Sequence, residues 1–243
     1  MTASGGMQEA RPAATARNEA LLVSLIVTVA VGLGARFVPK AHVATFVGFV
    51  FLFAVWRLVW TKDDARVKAF GLGLGGLLLH QPISLPGVVK AGLRALGVAS
   101  LCAALIFGPY YLAWRVWWQP QQHFSLELSP LGTLNDALGQ LLLIALPEEA
   151  FYRGYLQSRL DEAWPKRVRV LGAEVGPGLL VASVIFAVGH FVTIPVAPRL
   201  AVFFPSLLFG WLRARTGGIG ASLTFHAFCN IFSEALGRAY GVY

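Results

Sequence analysis

Charged side chains are scarce in this 243-residue chain: Asp, Glu, Lys and Arg make up 13% of it, while 56% is hydrophobic. A soluble globular domain carries roughly twice that share of charge, about 25%. The mean hydropathy is correspondingly high, at +0.65. This scarcity excludes an ordinary water-soluble domain. It predicts an all-α fold, a polytopic membrane helix bundle that is too short for a second sizeable domain.

Cysteine is also rare, since the chain contains only Cys102 and Cys229. Two cysteines in separate apolar stretches form neither a disulfide framework nor a CxxC metal pattern. Acidic residues are outnumbered by basic ones, which leaves a formal charge of +8. In a membrane protein such an excess is typical of cytoplasmic loops, so no nucleic-acid partner is expected.

Long apolar runs are what the sequence has in abundance. Crossing a hydrocarbon core of about 30 Å takes about 20 helical residues, and seven runs come close to that length. The spans are predicted near 20–38, 42–60, 93–113, 134–158, 177–196, 199–214 and 219–238. The apolar stretch 70–90 is broken by glycines and two prolines. It is predicted to be interfacial or re-entrant, with a distorted eighth span as the alternative.

The loop charges orient these spans. With the N-terminus in the cytoplasm, thirteen Lys and Arg residues fall in cytoplasmic loops and five in the opposite loops. That bias follows the positive-inside rule and favours an N-in arrangement. The polar residues 1–18 are predicted to be a disordered N-terminus, and 19–243 a single transmembrane helical domain. The run that starts at Ala20 lacks a convincing cleavage site, so an uncleaved first span is favoured over a signal peptide.

Ionisable residues inside apolar runs are costly and therefore informative. In the fourth run, Pro147 precedes Glu148 and Glu149 and loosens the helix because it has no N–H to donate. Glu149 and Arg153 lie four residues apart on one helical face and can form an ion pair, whereas Glu148 points elsewhere. A charged helix end at the membrane surface would explain this segment alone equally well.

Two later runs carry polar residues at the same one-turn spacing. Phe186 and His190 share a face of the fifth run, and His226 and Asn230 share a face of the seventh. Each pair alone could be a packing histidine or an interhelical clamp worth about 1 kcal/mol. Together with the glutamates they predict one converging site. The fifth helix must then tilt or bend so that His190 reaches the level of Glu148.

These residue types suit the hydrolysis of an amide by an activated water molecule. A glutamate shielded from bulk water can act as a general base, so Glu148 with His190 could deprotonate a water. His226 and Asn230 could donate hydrogen bonds to the oxyanion that forms on the peptide carbonyl. The chain has no G-x-S-x-G motif that would supply a serine nucleophile.

The ordered trio EExxxR, FxxxH and HxxxN in apolar helices resembles the CPBP family of CAAX proteases and bacteriocin-processing enzymes. The eukaryotic branch of that family is the type II CAAX prenyl endopeptidase. The resemblance covers about residues 134–238 and implies an intramembrane endopeptidase of the glutamic type with its catalytic core there. The residues it implies are catalytic Glu148, His190, His226 and Asn230, supported by Glu149 and Arg153.

Metal use and substrate are harder to derive from these motifs. A glutamate and two histidines could ligate zinc, but H-E-x-x-H is absent and asparagine is a poor zinc ligand. No cofactor is therefore expected, with zinc as the alternative. The implied partners are the lipid bilayer and a membrane-anchored protein or peptide substrate. The Ala-, Gly- and Arg-rich composition is typical of bacteria, so we expect a multi-pass protein of the bacterial inner membrane. A bacteriocin-like peptide or a C-terminal membrane-anchoring tail is then favoured as the substrate over a prenylated CAAX tail, and the involvement of prenylation stays open.

Two other classes of function stay open at this point. In a transporter or proton-relay protein, Glu148, His190 and His226 would pass protons along a path. In a non-catalytic immunity or scaffold protein, the same residues would serve only packing. The transporter is disfavoured because no inverted repeat relates the two halves of the chain and the polar groups lie in the second half.

Overall fold

A computed structural model describes residues 13–125 and 130–242 of the chain. The structure is 79% helical, in agreement with the helical class predicted from the apolar runs. The α-helices are α1 (Ala13–Phe37), α2 (Val43–Val55), α3 (Asp64–Ala69), α4 (Leu85–Trp118), α5 (Pro130–Leu138), α6 (Leu146–Glu149), α7 (Ser158–Ala163), α8 (Pro177–Thr193), α9 (Phe203–Thr216) and α10 (Gly220–Ala239). The π-helical segments are Trp56–Trp60, Gly139–Ala145 and Ala150–Gln157, and the 3₁₀ turns are Lys40–His42, Leu74–Gly76 and Ala197–Val202.

Among the described residues, three helical segments are long and apolar enough to cross a membrane: Ala13–Phe37, Lys40–Trp60 and Leu85–Trp118. They overlap the first three predicted spans. α8 is also apolar but has only 17 residues. The other predicted spans fall on helical segments that are interrupted, shorter or more polar. Length and apolar character therefore identify the first half of the bundle more clearly than the second half, where the polar motifs lie.

α1 starts earlier than the apolar run predicted. It begins at Ala13, so residues 13–18 are helical where the sequence predicted disorder. The rest of that prediction, residues 1–12, lies outside the described residues. Alanine, the best helix former, is frequent here, and Glu19 pairs with Arg159 of α7 at 2.7 Å. Helix propensity and this tertiary ion pair together explain why the helix extends beyond the apolar run.

One long helical stretch runs through the middle of the molecule. α5, α6 and α7 follow one another through two π-helical segments, and we call the stretch 130–163 the central helix. The backbone angles at its junctions are all helical. From residue 150 to residue 160 every side chain is buried, packed against α1, α2 and α8. This burial explains why the ionisable residues of the central helix must find partners inside the protein.

The chain between α3 and α4 is a set of turns. Over 70–84, all of which the structure describes, there is no long helix, and Gly75 has a φ of 72° inside the 3₁₀ turn. The backbone N–H of His80 donates to the Asp64 carboxylate at 2.8 Å, and the His80 ring Nδ1 lies at the same distance from that oxygen. The backbone hydrogen bond, followed by the side-chain one, lowers the pKa of Asp64. The glycine-rich segment is thus tied to the start of α3.

A short β-hairpin departs from the predicted all-α fold. β1 (Val168–Val170) and β2 (Ala173–Val175) pair antiparallel. The turn between them is Leu171-Gly172, in which both residues have positive φ, 47° and 80°. Such a two-residue turn with left-handed backbone matches the twist of a hairpin. The all-α prediction is wrong here because a three-residue strand is too short to show an alternating pattern of its own.

The last three helices close the bundle around the central helix. α8 packs on α9, and α10 packs on α4, α9 and the central helix. A buried cluster of Ala99, Phe209, Leu212 and Phe225 joins α4, α9 and α10. This packing brings the polar motifs of α8 and α10 against the glutamates of the central helix.

Candidate active site

The two adjacent glutamates lie where the central helix changes its winding. They occupy α6, a single α-helical turn between the π-helical segments Gly139–Ala145 and Ala150–Gln157. Pro147 has no N–H to donate, and π-helical turns in an α-helix are frequent at functional sites. Pro147 also packs closely against α2, since a Cβ added to Gly48 would lie 3.3 Å from its Cγ. The proline and this packing explain the local distortion that aims the glutamates apart.

Glu149 points into the protein interior, where its side chain is 0% exposed. Its Oε1 lies 3.2 Å from Nη1 of Arg153, which is the ion pair predicted from the sequence. The same oxygen lies 3.0 Å from Nδ1 of His226. Glu149 therefore links the central helix to α10 and holds the His226 ring.

Arg153 is enclosed by α8 and α9 as well as by its own helix. Its Nη2 donates to Ser206 Oγ at 2.8 Å. The guanidinium also lies over the rings of Phe186, at 4.4 Å, and Phe209, at 5.1 Å. A buried guanidinium is stable only when such partners replace water. Arg153 is therefore a structural cation that holds the central helix, α8 and α9 together around the glutamates.

Glu148 points toward two histidines. Its Oε2 lies 3.7 Å from Nε2 of His226 and 3.9 Å from Nε2 of His190. Both distances exceed a direct hydrogen bond, and among the described residues this oxygen has no hydrogen-bond partner. The side chains are 12% exposed for Glu148, 21% for His190 and 4% for His226, so the site is shielded but not sealed.

The other ring nitrogens show which tautomers the histidines adopt. Nδ1 of His190 lies 3.0 Å from the carbonyl oxygen of Phe186. A carbonyl can only accept, so we assign the proton to Nδ1, which leaves Nε2 as an acceptor in the neutral ring. Nδ1 of His226 faces the Glu149 carboxylate in the same way. Both rings are thus held by one nitrogen while Nε2 faces Glu148.

The sixth predicted site residue, Asn230, has a different partner. Its Nδ2 donates to Oε1 of Gln140 at 3.0 Å, and Gln140 donates in turn to Glu234 at 3.1 Å. Arg238 pairs with Glu234 and, at 2.9 Å, with Asp136. The structure therefore brings together Glu148, Glu149, Arg153, His190 and His226. Asn230 lies one helical turn beyond His226 and begins a polar chain that leads away from the glutamates.

Several residues that hold the site were not singled out in the sequence. Ser206 and Phe209 belong to α9, where no polar spacing marked them, although Phe209 stacks on His226 with ring centroids 4.6 Å apart. Gln157 donates to the Gly210 carbonyl at 3.1 Å. Its position four residues after Arg153 was a signal, because it continues the buried face that begins at Glu149.

The described residues can be compared with the side-chain arrangement that a metal ion needs. Within 13–125 and 130–242 there is no group of three or more His, Cys, Asp or Glu side chains arranged to hold a metal ion. The nitrogens that face Glu148 are nevertheless of a type that zinc accepts. The effect of metal chelators on cleavage tests whether the protein depends on a metal ion.

A comparison with protein families bears on the whole site. Residues 130–232 match the model of the family described as type II CAAX prenyl endopeptidase Rce1-like. This match supports membership in the CAAX protease (CPBP) family. The matched segment runs from the start of the central helix into α10 and contains all six predicted site residues. No curated protein and no solved structure matches the chain.

The match with this family model supports an endopeptidase of the CAAX protease type. Together with the apolar helices it also makes the chain an integral membrane protein. The segment before residue 130, which contains the three long apolar helices, lies outside the matched region.

Proposed function

We propose that the chain is an intramembrane endopeptidase that cuts a membrane-associated protein or peptide with a water molecule activated by Glu148 and His190. The single observation that carries this proposal is the position of the Glu148 carboxylate, within 4 Å of Nε2 of both His190 and His226 inside a helical bundle. A water at this position can donate one hydrogen to Glu148 Oε2 and the other to Nε2 of His190.

The reaction needs one base and one group that stabilises the developing negative charge. Glu148 takes a proton from the water while the water oxygen attacks the carbonyl carbon of the scissile bond. His190 orients the water through Nε2, the acceptor left by its bond to Phe186. The tetrahedral intermediate collapses when Glu148 returns the proton to the leaving amine. No covalent bond to the protein forms at any step.

To stabilise the oxyanion as predicted, His226 and Asn230 must each have an N–H group that can donate a hydrogen bond to the substrate. His226 can donate through Nε2 when its ring carries a proton on both nitrogens, the one on Nδ1 being held by the Glu149 carboxylate. Asn230 keeps one N–H beyond the bond to Gln140. The Glu149–Arg153 pair supports both by fixing the central helix against α10.

The membrane arrangement belongs to the same proposal. The charge bias supports seven spans with the N-terminus in the cytoplasm, and an eighth span is disfavoured by the turns over 70–84. In this arrangement the protein is multi-pass in the bacterial inner membrane. Its substrate is a bacteriocin-like peptide or a protein with a membrane-anchoring tail.

The test is a comparison of polypeptide termini in membranes. The gene is removed from its source cells and restored on a plasmid, and N- and C-terminal peptides of the membrane fraction are mapped by mass spectrometry. We expect at least one membrane-associated protein or peptide to show a shortened terminus only when the chain is present. Identical termini in both membranes would contradict the proposal.

A second prediction concerns metal. Because Glu148 can act as the base without a Lewis acid, treating membranes with EDTA or 1,10-phenanthroline is expected to change the cleavage rate by less than about twofold. A zinc-dependent protease added to the same membranes serves as the control and should lose its activity. Loss of cleavage by the chain and recovery on adding Zn²⁺ would instead establish a metal enzyme.

A further inference from the structure

A cavity lies between the glycine-rich turns, α4 and the start of α10. It has a volume of about 760 Å³ and is bounded by the turns after α3, the first turns of α4 and the connection between α9 and α10. Leu141 and Leu223 form its inner wall and also pack in the buried cluster with Ala145 and Ala227. None of the six predicted site residues lines the cavity, so it is distinct from the proposed active site.

The walls of this cavity are held at defined positions by close backbone packing. The N–H of Ile219 donates to the Gly71 carbonyl at 3.0 Å, which ties the α9–α10 connection to the glycine-rich turns. Gly75 has positive φ, and a Cβ there would lie 2.7 Å from the Cβ of Ala91 on α4. Only glycine permits this approach. The packing of the backbone therefore fixes the shape of the cavity.

The charge on the cavity is of one sign. Its lining includes Lys68, Lys90 and Arg94 and no acidic residue. In the part of the chain that the structure describes, none of these three side chains takes part in an ion pair or a side-chain hydrogen bond. Lys90 and Arg94 lie four residues apart and share one face of α4. The lining thus presents uncompensated positive charge that fits an anionic group.

The surface beside the cations is apolar. On α4, Val89, Leu93 and Leu96 are exposed next to Lys90 and Arg94. An anion that binds the two cations can therefore extend hydrocarbon along the same helix. This combination of charge and apolar surface fits an amphiphile better than a free anion.

We propose that this cavity binds an anionic phospholipid, with its phosphate at Lys90 and Arg94 and its acyl chains along α4. The N-in arrangement puts both cations at the cytoplasmic leaflet, where anionic lipids are found. Basic pockets between membrane helices on that side bind such headgroups. The binding depends on the membrane location of the chain but not on its peptidase activity.

The test is lipid binding to the full-length protein in detergent, measured by native mass spectrometry during titration with phosphatidylglycerol or phosphatidylcholine. The wild type is expected to bind one phosphatidylglycerol at least about tenfold more tightly than phosphatidylcholine. The variant K90Q/R94Q is expected to bind phosphatidylglycerol about 30-fold more weakly, because two cations near the phosphate are lost. The variant K90R/R94K keeps both charges and should bind within about threefold of the wild type.

The matched control is K166Q/R169Q, which removes two exposed positive charges near the hairpin, away from the cavity. It should bind within about threefold of the wild type. An equal loss in this control would mean diffuse attraction to a basic surface and would overturn the site. Equal binding of the two lipids, or displacement of the lipid by millimolar inorganic phosphate, would also overturn it. Glu148→Gln should bind phosphatidylglycerol like the wild type whether or not the peptidase proposal holds.

Discussion

Glu148→Gln is expected to abolish cleavage, with a fall in rate of at least about a hundredfold, while the fold stays intact. The substituted amide has nearly the same shape but cannot accept the proton of the attacking water. Its distances to the two histidines show that Glu148 makes no direct hydrogen bond to either of them. The change should therefore remove the base and little else.

The measurement is the terminus comparison described above, with the chromosomal gene replaced by the variant. Glu174→Gln is the matched control, because Glu174 is an exposed carboxylate on β2 and is not one of the site residues. The control should restore the shortened termini and Glu148→Gln should not. Cleavage by Glu148→Gln at the wild-type rate would disprove the role of Glu148 as the base.

Stability measurements on the same variant separate catalysis from packing. The Oε2 atom of Glu148 is buried, and no described residue donates a hydrogen bond to it. A carboxylate in that position costs folding free energy, which is common at active sites. We expect Glu148→Gln to unfold in detergent at the wild-type temperature or slightly above it. A clear loss of stability would favour the packing network of a non-catalytic scaffold.

The neighbouring glutamate is expected to behave in the opposite way. Glu149→Ala should destabilise the protein by about 3–5 kcal/mol, because it leaves the buried Arg153 guanidinium without its carboxylate. It also removes the partner of His226 Nδ1. The loss is measured as a lower unfolding temperature in detergent and a lower yield in the membrane fraction. Adjacent glutamates would thus differ in kind, one catalytic and one structural.

Two further variants test the structural role of Glu149. The control Glu162→Ala removes a carboxylate that pairs with Arg66 and Arg159 at a partly exposed site, where a pair is worth at most about 1 kcal/mol. The double variant E149Q/R153M replaces the buried pair by uncharged side chains of similar size and should recover most of the stability. Equal unfolding temperatures for Glu149→Ala and Glu162→Ala would show that Glu149 is not a structural residue.

Local patterns predicted the part of the site that lies within single helices. The ion pair between Glu149 and Arg153 follows from a spacing of four residues, which puts two side chains on one face in any helix. The likeness to the CAAX protease family was also predicted from three short motifs in order, and the family match supports it. By contrast, Ser206 and Phe209 contact the site from α9, whose sequence has no periodic polar signal. Contacts between helices depend on packing, which no local pattern encodes.

The sequence alone did not explain how His190 reaches the same depth in the helix bundle as Glu148. Counting residues from the helix ends required a tilt or bend to bring it to Glu148. In the structure its Nε2 reaches within 3.9 Å of the carboxylate, next to two π-helical segments of the central helix. π-Helical turns shift the facing of the residues that follow them, and apolar periodicity does not reveal them. The distortion lies in the glutamate helix, where Pro147 had predicted a loosened backbone, and not in the fifth predicted span, to which the tilt or bend had been assigned.

By itself the sequence determined the class of this protein, its apolar helices and the polar residues that lie among them. Those properties depend on composition and on spacing along one helix, both of which are local. Only the tertiary structure decided that His226 binds Glu149 while facing Glu148, and that Asn230 pairs with Gln140. It also decided that the cations of α4 line a cavity. The reason is that partners far apart in the chain meet only when the packing of the helices brings them together.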